Sequence, residues 1–88
     1  MKGKTKTGFE IEIRDSALDN WELLELWGEA DKGKTASLIS AVKILLGEDG
    51  YSAFKEHVRS LSDDGIVHAT KMSEELSSFM SSINNGKN

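Results

Sequence analysis

From Phe9 to Arg14 the chain alternates strictly. Phe9, Ile11 and Ile13 fall on one side, and Glu10, Glu12 and Arg14 on the other. A two-residue period of this kind marks a strand with one buried and one wet face. Gly8 stands just before it and supplies a turn, so residues 2–14 read as a β-hairpin. A two-stranded hairpin is marginal in water on its own. Its apolar face must therefore lie on helices or on another chain, and this requirement shapes every other reading of the sequence.

The register follows from charge. A two-residue loop at Thr7-Gly8 sets Lys6 opposite Phe9 and Lys4 opposite Ile11, which puts lysines on the apolar face. A three-residue loop, Lys6-Thr7-Gly8, sets Thr5 opposite Phe9, Lys4 opposite Glu10 and Lys2 opposite Glu12. The second register pairs opposite charges across the strands and seats Gly8 at the left-handed bulge position. It is the preferred one.

After "RDSALDN" the period becomes helical. Ser16 or Asp19 is placed to cap a helix of about residues 17–31, and Asp19-x-x-Glu22 has capping-box spacing. Thr35 is placed to cap a second helix, about 35–46, striped by Leu38, Ala41, Val42 and Leu45 and ended by Gly47. A third, about 49–61, carries Tyr51, Phe54, Val58 and Leu61 on one face. A fourth, about 69–83, carries Met72, Leu76, Phe79, Met80 and Ile83. The expectation is an α+β fold, mainly α: a hairpin on a bundle of about four helices. Residues 1–83 form one domain in this reading and 84–88 a polar, flexible tail. A length of 88 residues allows one small core, burying roughly 60–65% of the surface the unfolded chain exposes.

Composition removes several function classes. There is no cysteine, hence no disulfide scaffold, thiolate metal site or cysteine nucleophile. That fits a reducing compartment. The N-terminal "MKGKTKTGFE" lacks the apolar segment of a signal peptide, and no apolar run reaches the roughly 18 residues of a membrane span. A net charge of −4 disfavours nucleic acid as a partner. Hydrophobic residues at 38% and charged residues at 30% fit a soluble globular chain. The charge is segregated: residues 15–31 hold six acids and no base, and residues 32–47 hold three lysines and no acid. An acidic helix beside a basic linker can pair locally or steer a basic partner.

Gly28-x-x-x-x-Gly33-Lys34-Thr35 matches a phosphate-loop pattern. Such loops join a buried strand to a helix, whereas "WELLELW" before Gly28 is a helical pattern. Asp31 would also place negative charge inside the loop. His57 and His68 lack the spacing of two ligands on one helix face. Asp63-Asp64-Gly65 fails as a calcium loop, with Ser60 at the first ligand position and Lys71 at the last. No catalytic residue, cofactor or metal site is expected.

The first helix holds more information. At 3.6 residues per turn, Glu22, Glu25 and Glu29 fall within about 60°. Trp21, Leu23, Leu24, Leu26, Trp27, Gly28 and Ala30 cover roughly 220° of the rest, where a peripheral helix needs an apolar stripe of about 100°. Such a helix is central, or it buries one side in a partner. Aromatic residues are enriched at the energetic centres of interfaces. Trp21, Leu24 and Trp27 are therefore the leading candidates for protein binding, with Tyr51, Phe54 and Met80 as neighbours. Methionine suits adaptable surfaces, yet Met72, Phe79 and Met80 are better read as core than as groove.

The segments "TKTGFEIEI", "LDNWELLELWGEAD", "LLGEDGYSAFKEHVRS" and "DGIVHATKMSEELSSFM" together resemble the short tail assembly chaperones of long-tailed bacteriophages and of prophages in Gram-positive bacteria. The resemblance covers about residues 5 to 80 and includes no catalytic signature. It implies a non-enzymatic protein of the bacterial host cytoplasm. Such a protein binds the largely helical tape measure protein, keeps its apolar helices soluble until tail tube protein polymerises around it, and is absent from the finished tail. It also implies a longer product, made by programmed frameshifting, that recruits the tail tube protein. Gly86-Lys87-Asn88 can be encoded GGA-AAA-AAC, which contains the slippery run A-AAA-AAC; AAG at Lys87 would rule that site out. Self-association of the chain is a further expectation from the wide apolar helix. The competing reading is a small acidic interaction or regulatory module, adaptor- or antitoxin-like, with a protein partner.

Overall fold

The computed structural model describes residues 1–86, and their side chains through Ile83. It is mostly helical, with an N-terminal antiparallel hairpin, an α+β fold. Strands β1 (Lys2–Lys4) and β2 (Glu10–Glu12) pair Lys2 with Glu12, Gly3 with Ile11 and Lys4 with Glu10. This is the charge-paired register. The Thr5 N–H donates to the Phe9 carbonyl at 2.9 Å, and Gly8 has φ 91° in the three-residue loop. The ladder is shorter than the expected span of 2–14. A 3-10 turn at Asp15–Asp19 leads to α1 (Trp21–Asp31), α2 (Thr35–Arg59) and α3 (Ala69–Gly86).

Among the described residues there are three α-helices rather than four. The expected second and third helices are two arms of α2, which is interrupted at Gly47 (φ 77°, ψ 166°). That conformation is almost confined to glycine, so the break the sequence placed at Gly47 is present as a kink, with no intervening loop. The second arm ends at Arg59, two residues short of the expected 61. The caps also differ. Asn20, not Ser16 or Asp19, caps α1, its Oδ1 accepting from the N–H groups of Glu22 (2.9 Å) and Leu23 (3.2 Å). Thr35 is the first residue inside α2, with Lys34 before it and no side-chain cap. Helix α3 continues through Gly86, beyond the expected end at 83. Residues 87 and 88, the rest of the expected flexible tail and the position of the slippery codons, lie outside the described residues.

The core is built from all layers. Ile11 and Ile13 from the hairpin meet Leu23 of α1, Ala41, Leu45, Phe54 and Val58 of α2, and Phe79 and Ile83 of α3. Phe54, Val58 and Phe79 have no exposed surface, and each such side chain contributes roughly 1.5–3 kcal/mol. Helix α3 lies directly on β1. Gly3 permits this approach, because a Cβ there would stand 2.7 Å from the Phe79 ring. The same helix covers the free edge of β1. Ser82 and Ser78 accept hydrogen bonds from the N–H groups of Lys4 (3.0 Å) and Lys6 (2.9 Å), so that edge offers no template for another strand. Helix α1 packs along α2 on the other side. Among the described residues no helix is long and apolar enough to cross a membrane.

Candidate partner-binding surfaces

Helix α1 turns one side inward and leaves another bare. Leu23 is buried, and Leu26 and Trp27 are half-buried against the core. Trp21 and Leu24, by contrast, are 72% and 53% exposed. Leu18 before the helix and Ile44 on α2 are also exposed. Leu24, Gly28 and Ile44 line an open hollow of about 700 Å³ whose other walls include Glu22, Glu25 and Glu29. An apolar ridge with a row of carboxylates beside it therefore runs along one flank of the molecule.

Of that row only Glu29 is tied down. Lys34 Nζ lies 2.7 Å from its Oε2, and Lys32 Nζ lies 4.0 Å from Oε1. The hydrogen bond and charge of Lys34, followed by the charge of Lys32, hold the Glu29 carboxyl below its usual range. The basic linker thus pairs locally with the acidic helix and closes the α1–α2 turn. The phosphate-loop pattern is part of this turn. Gly28 sits within α1, Lys34 is engaged by Glu29, and a helix stands where a phosphate loop has its strand.

A second concavity lies on the opposite side of α2. A groove of about 260 Å³ runs between the two arms of α2 and the start of α3, walled by Leu38, Ile39, Val42, Tyr51, Met72 and Leu76. Lys55 is the one charged residue lining it. Lys43 and Lys55 hold their ammonium groups 5.5 and 5.2 Å from the centre of the Tyr51 ring, within cation–π range.

The six candidates from the sequence do not form one surface. Trp21 and Leu24 share the exposed ridge, while Trp27 packs beneath it on the core. Tyr51 is half-buried in the groove, and Met80 is half-buried against the core. Phe54 has 0% exposure and stands 6.1 Å from the Phe9 ring, so it is core and unavailable to a partner. Tyr51 and Phe54 are three residues apart, which turns them about 60° from one another on a helix. That rotation suffices to put one at the rim and the other inside.

One polar cluster went unread. Glu75 is 1% exposed, and its Oε1 accepts from Thr7 Oγ1 at 2.6 Å. Thr7 Oγ1 also lies 2.7 Å from His57 Nε2. A hydroxyl has one proton to give, so with Thr7 donating to Glu75 the imidazole must donate from Nε2. The Phe9 ring stacks on His57 at 4.5 Å. Burial pushes the Glu75 carboxyl up, but the hydroxyls of Thr7 and Thr5 and the charge of His57 outweigh it, and the group titrates below its usual range. The cluster fastens the hairpin tip to α2 and α3. Among the described residues no group of three or more histidine or acidic side chains is placed to hold a metal ion.

No protein-family model, curated protein or solved structure matches the chain.

Proposed function

We propose that this chain is a bacteriophage tail assembly chaperone. It binds helices of a tape measure protein in the host cytoplasm and keeps them soluble until tube protein polymerises around them. The observation that carries the reading is the bare ridge of α1, with Trp21 and Leu24 exposed beside Glu22 and Glu25. Large apolar side chains grouped in solvent and bordered by charge are the usual form of a protein-docking surface. Anchors three residues apart on one helix suit a helical client that presents its own apolar stripe. The carboxylates favour a client with lysine or arginine beside that stripe, and they hold the chaperone itself in solution. The resemblance across residues 5–80 supports tail assembly over an adaptor- or antitoxin-like role. In this reading a longer frameshift product recruits the tail tube protein.

The test is co-expression with a tape measure protein, whose gene this reading expects immediately downstream. The expected result is a soluble complex that co-purifies. Trp21→Ala should weaken it by about 2 kcal/mol or more, as for a residue at an interface centre. Absence of a complex, with no gain in client solubility, would defeat the proposal. A toxin gene next to this one, in place of a tape measure gene, would favour the regulatory reading.

A further inference from the structure

We infer that the outer edge of β2 accepts a further antiparallel strand, an extended partner segment with basic residues at alternate positions. The hairpin uses only one side of β2. The Thr5 N–H donates to the Phe9 carbonyl at 2.9 Å, and the Ile13 N–H to the Met1 carbonyl at 2.8 Å. Phe9, Ile11 and Ile13 thus turn their backbone groups toward β1, and by the alternation of an antiparallel pair Glu10 and Glu12 turn theirs away. Among the described residues nothing bonds to the N–H and C=O groups of Glu10 and Glu12 on that side, and β2 has no second neighbour in the sheet. The opposite edge is closed, since Ser82 and Ser78 take up the N–H groups of Lys4 and Lys6. Arg14, at φ −69° and ψ 143°, keeps the open edge extended beyond Glu12.

The chemistry of the partner follows from the side chains. Glu10, Glu12 and Arg14 are exposed, and among the described residues none is in an ion pair. Charges on an edge strand discourage indiscriminate pairing, and the same charges select a complementary strand. Read antiparallel to β2, that strand runs acid, apolar, base, apolar, base, with the acid opposite Arg14 and the bases opposite Glu12 and Glu10. Strand β1 already shows what β2 pairs with, for Lys2 and Lys4 stand opposite Glu12 and Glu10 on its other side. The first apolar position, beside Ile13, meets a recess of about 340 Å³ walled by Ala17, Ile44 and Leu46 among others, a seat for a bulky side chain. A second copy of β2 fits poorly, because a two-fold pairing that uses Glu10 sets glutamate against glutamate. This edge is separate from the α1 ridge and takes an extended partner in place of a helical one, so the inference stands without the tape measure reading.

The probe is the blocked peptide Thr-Glu-Leu-Lys-Val-Lys-Thr, titrated into the full chain labelled with nitrogen-15. The amides of Glu10 and Glu12 should shift to saturation and exchange hydrogen more slowly, with smaller shifts at Ala17 and Ile44. N-methylation at the first lysine, which faces Glu12, should abolish these changes. N-methylation at the valine, whose N–H points away from the edge, should largely spare them. Exchanging glutamate and lysine in the peptide should weaken binding roughly three- to tenfold, and Glu10→Gln/Glu12→Gln in the protein should do the same; both glutamates are exposed, so the hairpin keeps its core contacts. No shift at Glu10 and Glu12 with millimolar peptide would overturn the inference. So would equal effects of the two N-methylations, or glutamine variants that bind as well as wild type. Shifts of these two amides that grow with protein concentration in the absence of peptide would assign the edge to a second copy and overturn it as well.

Discussion

Gly3 offers the sharpest test of how the hairpin is held. A Cβ at this position would stand 2.7 and 2.8 Å from two carbons of the Phe79 ring and 3.0 Å from Ile83 Cγ1. Carbon atoms in contact prefer about 3.5–4.0 Å. Phe79 has no exposed surface and Ile83 is 6% exposed, so neither can swing into solvent to make room. Forcing a methyl into such a site costs about 1–3 kcal/mol. Against this, alanine loses less unfolded-state entropy than glycine, a gain of about 0.4–1 kcal/mol. Gly3→Ala should therefore destabilise the protein by about 1–2 kcal/mol net, which lowers the melting temperature of a domain this size by roughly 5–15 °C. Gly28→Ala is the matched control. It lies inside α1 with nothing within 4 Å of the added methyl, so it should stabilise by about 0.5–1 kcal/mol. Urea and thermal unfolding followed by circular dichroism measure both. Adding Phe79→Leu to Gly3→Ala should cost less than the sum of the single changes, because the smaller side chain vacates the clash. If Gly3→Ala matches wild type, or if the two glycines respond alike, α3 does not press on β1 as described.

Three further outcomes follow from named features. Glu75 titrates below its ordinary value of 4.5 when folded, so its contribution to stability is complete above that pH and is lost as the pH falls through the folded value. Glu75→Gln should cost about 1 kcal/mol at pH 7, with the gap to wild type closing in acid; a pH-independent gap in urea midpoints would deny the carboxylate that role. Gly47→Ala meets no side chain but forces a Cβ into the conformation φ 77°, ψ 166°, for a loss of about 1–3 kcal/mol in chemical denaturation; an unchanged midpoint would mean that α2 is not broken there. Acrylamide should quench Trp21, at 72% exposure, far more strongly than half-buried Trp27, so Trp21→Phe leaves a poorly quenched protein and Trp27→Phe a readily quenched one; the reverse order would contradict the orientation of α1.

The hairpin was legible in sequence because two independent signals agreed. Alternation identified the buried side, and the pairing of Lys2 and Lys4 with Glu12 and Glu10 selected one loop length. The helix stripes were legible too, through Leu23, Phe54, Val58 and Phe79. Their boundaries were less so, since Ser16, Asp19 and Asn20 can all cap and only the path of the chain out of β2 selects Asn20. The break at Gly47 was readable, but whether the arms separate or stay continuous depends on packing against α1 and α3. The groove joins residues 35–55 to 67–76, and no periodicity within either segment reveals that meeting. Glu75 did leave a signal. It occupies the stripe Met72, Glu75, Leu76, Phe79, where an acid on an apolar face requires buried partners. Thr7 and His57, the partners it found, are distant in sequence and carry no such mark.

The two tryptophans show how far local arithmetic reaches. Six residues on a helix turn the chain by about 240° net, so Trp21 and Trp27 cannot share a face. A helix with large aromatics on two sides must be enclosed or must leave one of them wet. Enclosure would need a further layer over α1, and the chain has already committed α2, α3 and the hairpin to its single core. Trp27 packs on that core and Trp21 stands in water. Folding alone gives no reason to place a tryptophan outside, since a serine or lysine at position 21 would leave the core contacts of Leu23 and Trp27 unchanged. The asymmetry of α1 is the ground for proposing that this side is kept for a second molecule, with Glu22 and Glu25 selecting it by charge.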